Sequence, residues 1–282
     1  MMFLFKKRLQ NIALFFLLLP ALSSCMPGLR TARQFTDSRS EKPAVMIVPP
    51  TLSFINYYPF DPANPQAQFE NPANLEESNF LKDFDEEELT DIFVESLFAH
   101  LKRYPLRVFR PEQFDEFLSA PGERYIFTIA QTEIIEYDEV MTDRALIDTT
   151  LYRQDFLLRN IARNTWFEFV KVDDQTEENG MQVLYSNFFT GDFVDGRFRY
   201  RGLSGEVTYQ YSSILVGPND IIELNRFAGQ RNARYIFEHL LNRYVQKNAS
   251  TVFASPAYFR YNVNTNSFSR GGEQNRFILL EP

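Results

Sequence analysis

The chain has 282 residues, 44% hydrophobic and 16% aromatic, with 29 basic against 37 acidic side chains and a formal charge of −8. An acidic balance of this size excludes bulk electrostatic binding to nucleic acid or to an anionic lipid surface. A single cysteine excludes an intramolecular disulfide, so packing alone must hold the fold, and the length suffices for one large core or two small ones.

Lys6, Lys7 and Arg8 precede an almost unbroken apolar run from Ile12 to Leu19, and Leu22-Ser23-Ser24-Cys25 follows. Charge, short apolar core and small residues in that order read as a secretory signal. The apolar stretch falls short of the roughly twenty residues that span a bilayer. Leu-Ser-Ser-Cys resembles the bacterial lipobox, which implies cleavage after Ser24 and lipidation of Cys25. A single acyl chain anchors only marginally; the resemblance implies several, hence a permanent membrane attachment. Met26 rather than Asp follows the cysteine, with no acidic run beyond it. By the sorting rules that accompany the lipobox, the expected location is the outer membrane, facing the periplasm. Loss of residues 1–24 removes those three basic residues and no acid, taking the charge from −8 to −11.

Residues 25–42 hold the lipidated cysteine and a polar, aperiodic stretch expected to be a flexible tether. AVMIV at 44–48, closed by Pro49-Pro50, reads as a buried strand. Residues 51–82, with many Asn and Pro and with Phe54, Tyr57, Tyr58 and Phe60, read as a long loop of the kind that often carries function. Residues 85–104 predict a helix. Asp83 or Asp85 can cap it, Glu86, Glu87 and Glu88 suit its positive end, and Leu89, Ile92, Phe93, Leu97 and Leu101 form a stripe. A short strand at 106–109 and a short helix at 111–120 follow. Residues 124–137 predict a strand by their alternation, and 138–155 read as charged and irregular. Residues 162–172 and 181–190 predict an antiparallel hairpin around an acidic turn. Residues 193–200 extend that strand or form another, and 207–216 offer one more. Residues 232–246 predict a second helix, after which the chain reads as irregular. The expected fold is α+β: a mixed, largely antiparallel sheet with helices packed on one face, in a single domain over 43–248, with an irregular extension over 249–282.

The lipobox, the strand AVMIVPP, the hairpin NTWFEFVKVDD…MQVLYSNFFTGDF and the closing helix NARYIFEHLLNRYV, in that order, resemble a group of envelope lipoproteins. The group includes the auxiliary lipoprotein of ABC-type transport systems, the outer-membrane activators of peptidoglycan synthases and, more distantly, the amino-terminal domain of TolB. The resemblance implies a non-catalytic adaptor that docks on an envelope protein complex. The segments 51–82, 138–161, 201–222 and the tail after 248 depart from the compact pattern of the group.

Chemistry is thinly signalled. His100 and His239 each lie late in a helix, where the dipole favours them structurally. No P-loop, G-x-G-x-x-G, H-E-x-x-H or G-x-S-x-G elbow is present. Asp192 to Gly196 echoes a calcium loop but lacks its alternating ligands and closing Glu. No catalytic residue, metal or cofactor is therefore expected. The candidates for partner binding are aromatic: Phe54, Tyr57, Tyr58 and Phe60 in the loop, and Tyr258, Phe259 and Tyr261 in the tail. Arg197 and Arg199, with Arg201, alternate along one strand face and suit an acidic partner or a phosphate-bearing glycan. Two other classes stay open: a lipid- or glycan-binding module of envelope transport, and a hydrolase using two carboxylates distant in sequence.

Overall fold

The computed structural model describes residues 27–37, 42–172, 180–202, 204–248, 258–272 and 275–280. The signal, Cys25 and the acidic turn at 173–179 lie outside the described residues. The fold is α+β, and the chain divides into two compact units, Pro43–Tyr235 with Phe277–Pro282, and Met1–Lys42 with Ile236–Arg276. Among the described residues no helix is long and apolar enough to cross a membrane.

The larger unit is built on a seven-stranded mixed sheet. Its strands are β1 (Ala44–Val48), β2 (Ser53–Tyr58), β3 (Arg107–Phe109), β4 (Arg124–Ile147), β5 (Thr150–Val172), β6 (Gln182–Gly191) and, late in the chain, β11 (Ile278–Leu280). The order is β11-β6-β5-β4-β1-β3, with β2 also paired to β4. β1 lies parallel to the start of β4 (Val45 opposite Tyr125) and β2 parallel to its middle (Tyr57 opposite Glu136). Segment 44–58 therefore runs along β4 as two strands broken at Pro49-Pro50. A bulge between Ile129 and Gln131 keeps the apolar residues facing one side past that break.

One face of this sheet is covered by α2 (Glu86–Leu101) and the first part of α4 (Pro218–Asn248). Asp85 caps α2 by accepting from the Glu87 and Glu88 amides, and Leu89, Phe93, Leu97 and Leu101 are fully buried. α4 starts fourteen residues before the expected 232, because Pro218 opens it and Asp220 accepts from the Gly217 amide at 2.8 Å. At Gly229 a Cβ would lie 2.5 Å from the Phe93 carbonyl oxygen, so α2 and α4 meet backbone to backbone. The helices do not all share one face. The short α3 (Phe114–Ser119) buries Phe117 against Ala44 and Met46, with Ile126 and Val172 alongside. These side chains alternate with the helix-covered Val45, Ile47 and Phe127, so α3 lies on the opposite face.

Three expectations are corrected. The supposed tether contains α1 (Pro27–Asp37), whose Ala32 and Phe35 are buried, Phe35 packing on Phe237 and Tyr244 with ring centroids 5.7 and 5.3 Å away. The tail is not irregular throughout: it forms a hairpin of β9 (Phe259–Asn262) and β10 (Ser267–Arg270) and then β11. The domain is not single over 43–248. From Ile236 onward α4 carries its own cluster with α1 and β9, which makes the smaller unit.

β4 and β5 are far longer than expected. Residues 138–155, read as irregular, continue the hairpin to a turn at Asp148, whose φ is 55°. β2 stops opposite Tyr137 and β6 opposite Asn160, so beyond them β4 and β5 pair only with each other. Ten residues of strand make an arm about 33 Å long.

Candidate functional site

Glu136 and Asp138 point from β4 to the helix-covered side. Glu136 is fully buried and only accepts: from the Ser78 hydroxyl at 2.5 Å and from the amides of Asn79, Phe80 and Leu81 at 3.0–3.3 Å. It clamps the turns that precede α2. Asp138, 6% exposed, accepts from the Tyr57 hydroxyl at 3.4 Å. Burial, with Glu136 adding to it, pushes the Asp138 carboxyl above its ordinary value against the pull of the Phe60 amide. Burial, then Asp138 and Glu136, pushes Tyr57 up to about 12. Tyr57 was expected in a loop; it is a buried strand residue of β2, and truncating it would open the fold rather than a binding surface.

No helix covers the other sheet face between α3 and the arm; Asn160, Ala162 and Asn164 at its centre are buried by their neighbours, and the residues around them are half-buried or exposed. β2 presents Phe54, Asn56 and Tyr58 there, β4 Glu133, Ile135, Tyr137 and Glu139, β5 Asn160, Ala162, Asn164 and Trp166, and β6 Tyr185, Asn187 and Phe189. A continuous hydrogen-bond network crosses these four strands. Asn56 and Asn164 donate to the two Glu133 oxygens at 2.8 and 3.1 Å. Asn164 Oδ1 in turn accepts from the Tyr185 hydroxyl at 2.6 Å and from Asn187 Nδ2 at 2.7 Å. Aromatic groups flank the network. Trp166 packs on Tyr185 at 5.1 Å on one side, and on the other Phe69 lies between Tyr58 and Tyr137 at 5.4 and 5.6 Å. Burial raises the pKa of Tyr58, Tyr137 and Tyr185, so all three keep their hydroxyl proton. Phe54 and Phe189 are exposed, and Phe60 is half-buried.

The arm is a second feature that the sequence did not announce. An isolated two-stranded ribbon is marginal in water, and here a second ribbon covers it. β7 (Phe193–Arg201) and β8 (Glu206–Ile214) pair antiparallel and lie over one face of β4–β5. Phe156 meets Tyr209 and Tyr211 at 5.6 and 5.0 Å, Tyr152 meets Phe198 at 6.1 Å, and the Tyr209 hydroxyl donates to Asp143 at 2.9 Å. Asp192 pins the corner between β6 and β7. Its two oxygens accept from the Val216 amide and from the Arg159 amide and guanidinium, so the faint calcium-loop echo is a structural corner. Among the described residues no cluster of three or more His, Cys, Asp or Glu could hold a metal.

The opposite face of the arm is bare. Leu146 is 70% exposed, its cross-strand neighbour Leu151 65% and Leu157 57%. Arg197, Arg199 and Arg201 do share one face, on the outer side of the second ribbon, where Arg201 lies 3.5 Å from Glu206. Tyr258, Phe259 and Tyr261 are brought into the smaller unit instead. Phe259 and Tyr261 are buried, the Asn242 side-chain amide donating to the Phe259 carbonyl and accepting from its N–H, and Tyr258 donates to Glu238. Sequence reasoning missed Arg163, a fully buried cation under α2. It donates to Asn225 and Thr132 and sits 4.1 Å over the Phe93 ring, and burial pushes it down to about 9. No protein-family model and no curated protein matches this chain.

Proposed function

We propose that this chain is a non-catalytic lipoprotein, anchored in the cell envelope through Cys25, that serves as an accessory or adaptor subunit of an envelope protein complex. The observation that carries this reading is the arm. It reaches beyond the sheet, is stiffened on one face by an aromatic sandwich, and leaves large apolar side chains bare on the other. On that face Leu146 and Leu151 stand side by side and exposed, an apolar pair at the tip of the arm that a partner would cover. The lipobox-like start and the order of elements that resembles envelope adaptors support the same reading. The membrane of residence in this proposal is the outer one, with the folded part in the periplasm.

A crosslinked pull-down from native membranes tests it, using the full-length chain with Cys25 intact and a carboxy-terminal tag. The expected result is enrichment of an envelope complex that disappears when Leu146, Leu151 and Leu157 are all changed to Ser, while the circular-dichroism melt stays within about 2 °C, as surface changes allow. Equal capture by the two forms would remove the arm from the model, and recovery of the protein alone, with no envelope complex enriched, would overturn the adaptor reading.

A further inference from the structure

We infer that the open sheet face between α3 and the arm is a binding site for an extended, uncharged oligosaccharide. Asn is depleted in strands because its side chain competes for backbone hydrogen bonds. Yet Asn56, Asn160, Asn164 and Asn187 all lie within strands and on this one face. Local choices that oppose the fold mark sites where something other than stability is served. Three of the four are tied to Glu133 or to one another, which fixes their rotamers: the buried Asn164 braces the network, and Asn56 and Asn187 on either side of it are the more exposed. Asn160 points at Glu139, 3.5 Å away.

The pattern matches sugar chemistry. A pyranose offers an apolar face of C–H groups and an equatorial rim of hydroxyls that both donate and accept. Flat aromatic rings receive the first, and side-chain amides and carboxylates, with donors and acceptors side by side, receive the second. The aromatic pairs stand at the two ends of the network: Trp166 with Tyr185, and Tyr58 and Tyr137 with Phe69. Trp166 and Asn160 are six residues apart on β5, or about 20 Å, so the floor suits a chain of several sugar units rather than a monosaccharide. The charged residues on the floor are Glu133, Glu139 and Glu168, all acidic, which disfavours an anionic glycan or a phosphate group. The outward arginines lie on the second ribbon and take no part in this site.

Trp166 is the sole tryptophan of the chain, so the site carries its own fluorescent reporter. The full-length lipoprotein, held in a polyoxyethylene detergent free of sugar headgroups, is titrated with cellohexaose, chitohexaose and maltohexaose, and with hexagalacturonate as an anionic control. At least one neutral hexasaccharide is expected to give a saturable change in Trp166 emission, and hexagalacturonate none. Asn187→Ala, at an exposed position, is expected to weaken that binding about tenfold, as loss of a directed hydrogen bond and of the order it imposes would. Leu151→Ser on the arm is expected to leave it unchanged, which separates this site from the adaptor surface. No response to any neutral hexasaccharide, an equal response to hexagalacturonate, or undiminished binding by the Asn187 variant would each overturn the assignment.

Discussion

Glu136 shows how one side chain determines a long connection. Residues 59–85 contain only short 3-10 turns, and four donors of Ser78, Asn79, Phe80 and Leu81 converge on this carboxyl group from that segment. The group is fully buried, so water cannot replace any donor that loses its acceptor. Glu136→Gln keeps the size but turns an NH2 toward amides that need an acceptor. The expected loss is about 1.5–3 kcal/mol, the range for hydrogen bonds to a charged group, read as a lower urea midpoint with an unchanged slope. Glu133→Gln on the open face is the contrast. Asn164 keeps donating to the remaining oxygen, and only the half-buried Asn56 has to flip to meet the new NH2, so a much smaller loss is expected. The same logic separates the tyrosines: the sequence treats Tyr57 and Tyr58 alike, whereas strand alternation sends Tyr57 under the helices and Tyr58 onto the open floor.

Among the elements, Gly196 decides whether the two ribbons of the arm can stack. A Cβ there would lie 2.4 Å from the Tyr209 hydroxyl oxygen and 2.6 Å from its ring. That ring cannot yield easily, being packed between Phe156 and Phe198 and tied to Asp143. Gly196→Ala is therefore expected to cost about 1–3 kcal/mol of local packing and to expose 193–214 to limited proteolysis while the sheet core stays resistant. Tyr209→Phe, which keeps the stacking and loses only one hydrogen bond, should change the digestion pattern less. Cleavage unchanged in both variants would mean that the ribbons do not depend on this contact. The arm also explains which elements were legible from sequence. α2 was readable because its cap, its acidic first turn and its apolar stripe agree with one another. β2 was not, because Pro49-Pro50 and scattered Asn signal a loop; yet β2 pairs with β4 along its length and bridges Ala73 from its other edge, and the prolines fall in the break before it. Residues 138–155 looked irregular because charge marks a loop in most proteins. In a ribbon that leaves the sheet, charges can alternate with apolar groups along a strand, as Arg153 and Asp155, hydrogen-bonded to each other, do with Tyr152 and Phe156. The open floor was illegible for a simpler reason: its residues come from four strands spread over 54–189, and only pairing register brings them together.

At the scale of the whole molecule, the two units carry titrating groups of opposite sign. In the smaller unit, His239 has a ring Nε2 shielded from solvent even though part of the residue remains accessible. Burial first, then Arg243, hold it down to about 3 from an ordinary 6.5. Between those values the unfolded chain binds a proton that the folded chain refuses, so this contribution is present above 6.5 and is lost as pH falls toward 3. In the larger unit, Asp138 has its pKa raised above 3.8, chiefly by burial. There the folded chain takes up the proton first, so falling pH favours the fold until the ordinary value is passed. Acidification from neutrality to about pH 4.5 should therefore loosen the smaller unit before the larger. Hydrogen exchange resolved by peptide, corrected for the intrinsic rate at each pH, reads the two units separately. Protection is expected to fall first in 236–248 and 258–270 and to persist in 124–172. His239→Gln should abolish the early loss, and Asp138→Asn should raise the stability of the larger unit at neutral pH without touching the smaller. Loss of protection in 124–172 ahead of 236–248 would contradict both assignments, because neither group could then govern the acid response of its own unit.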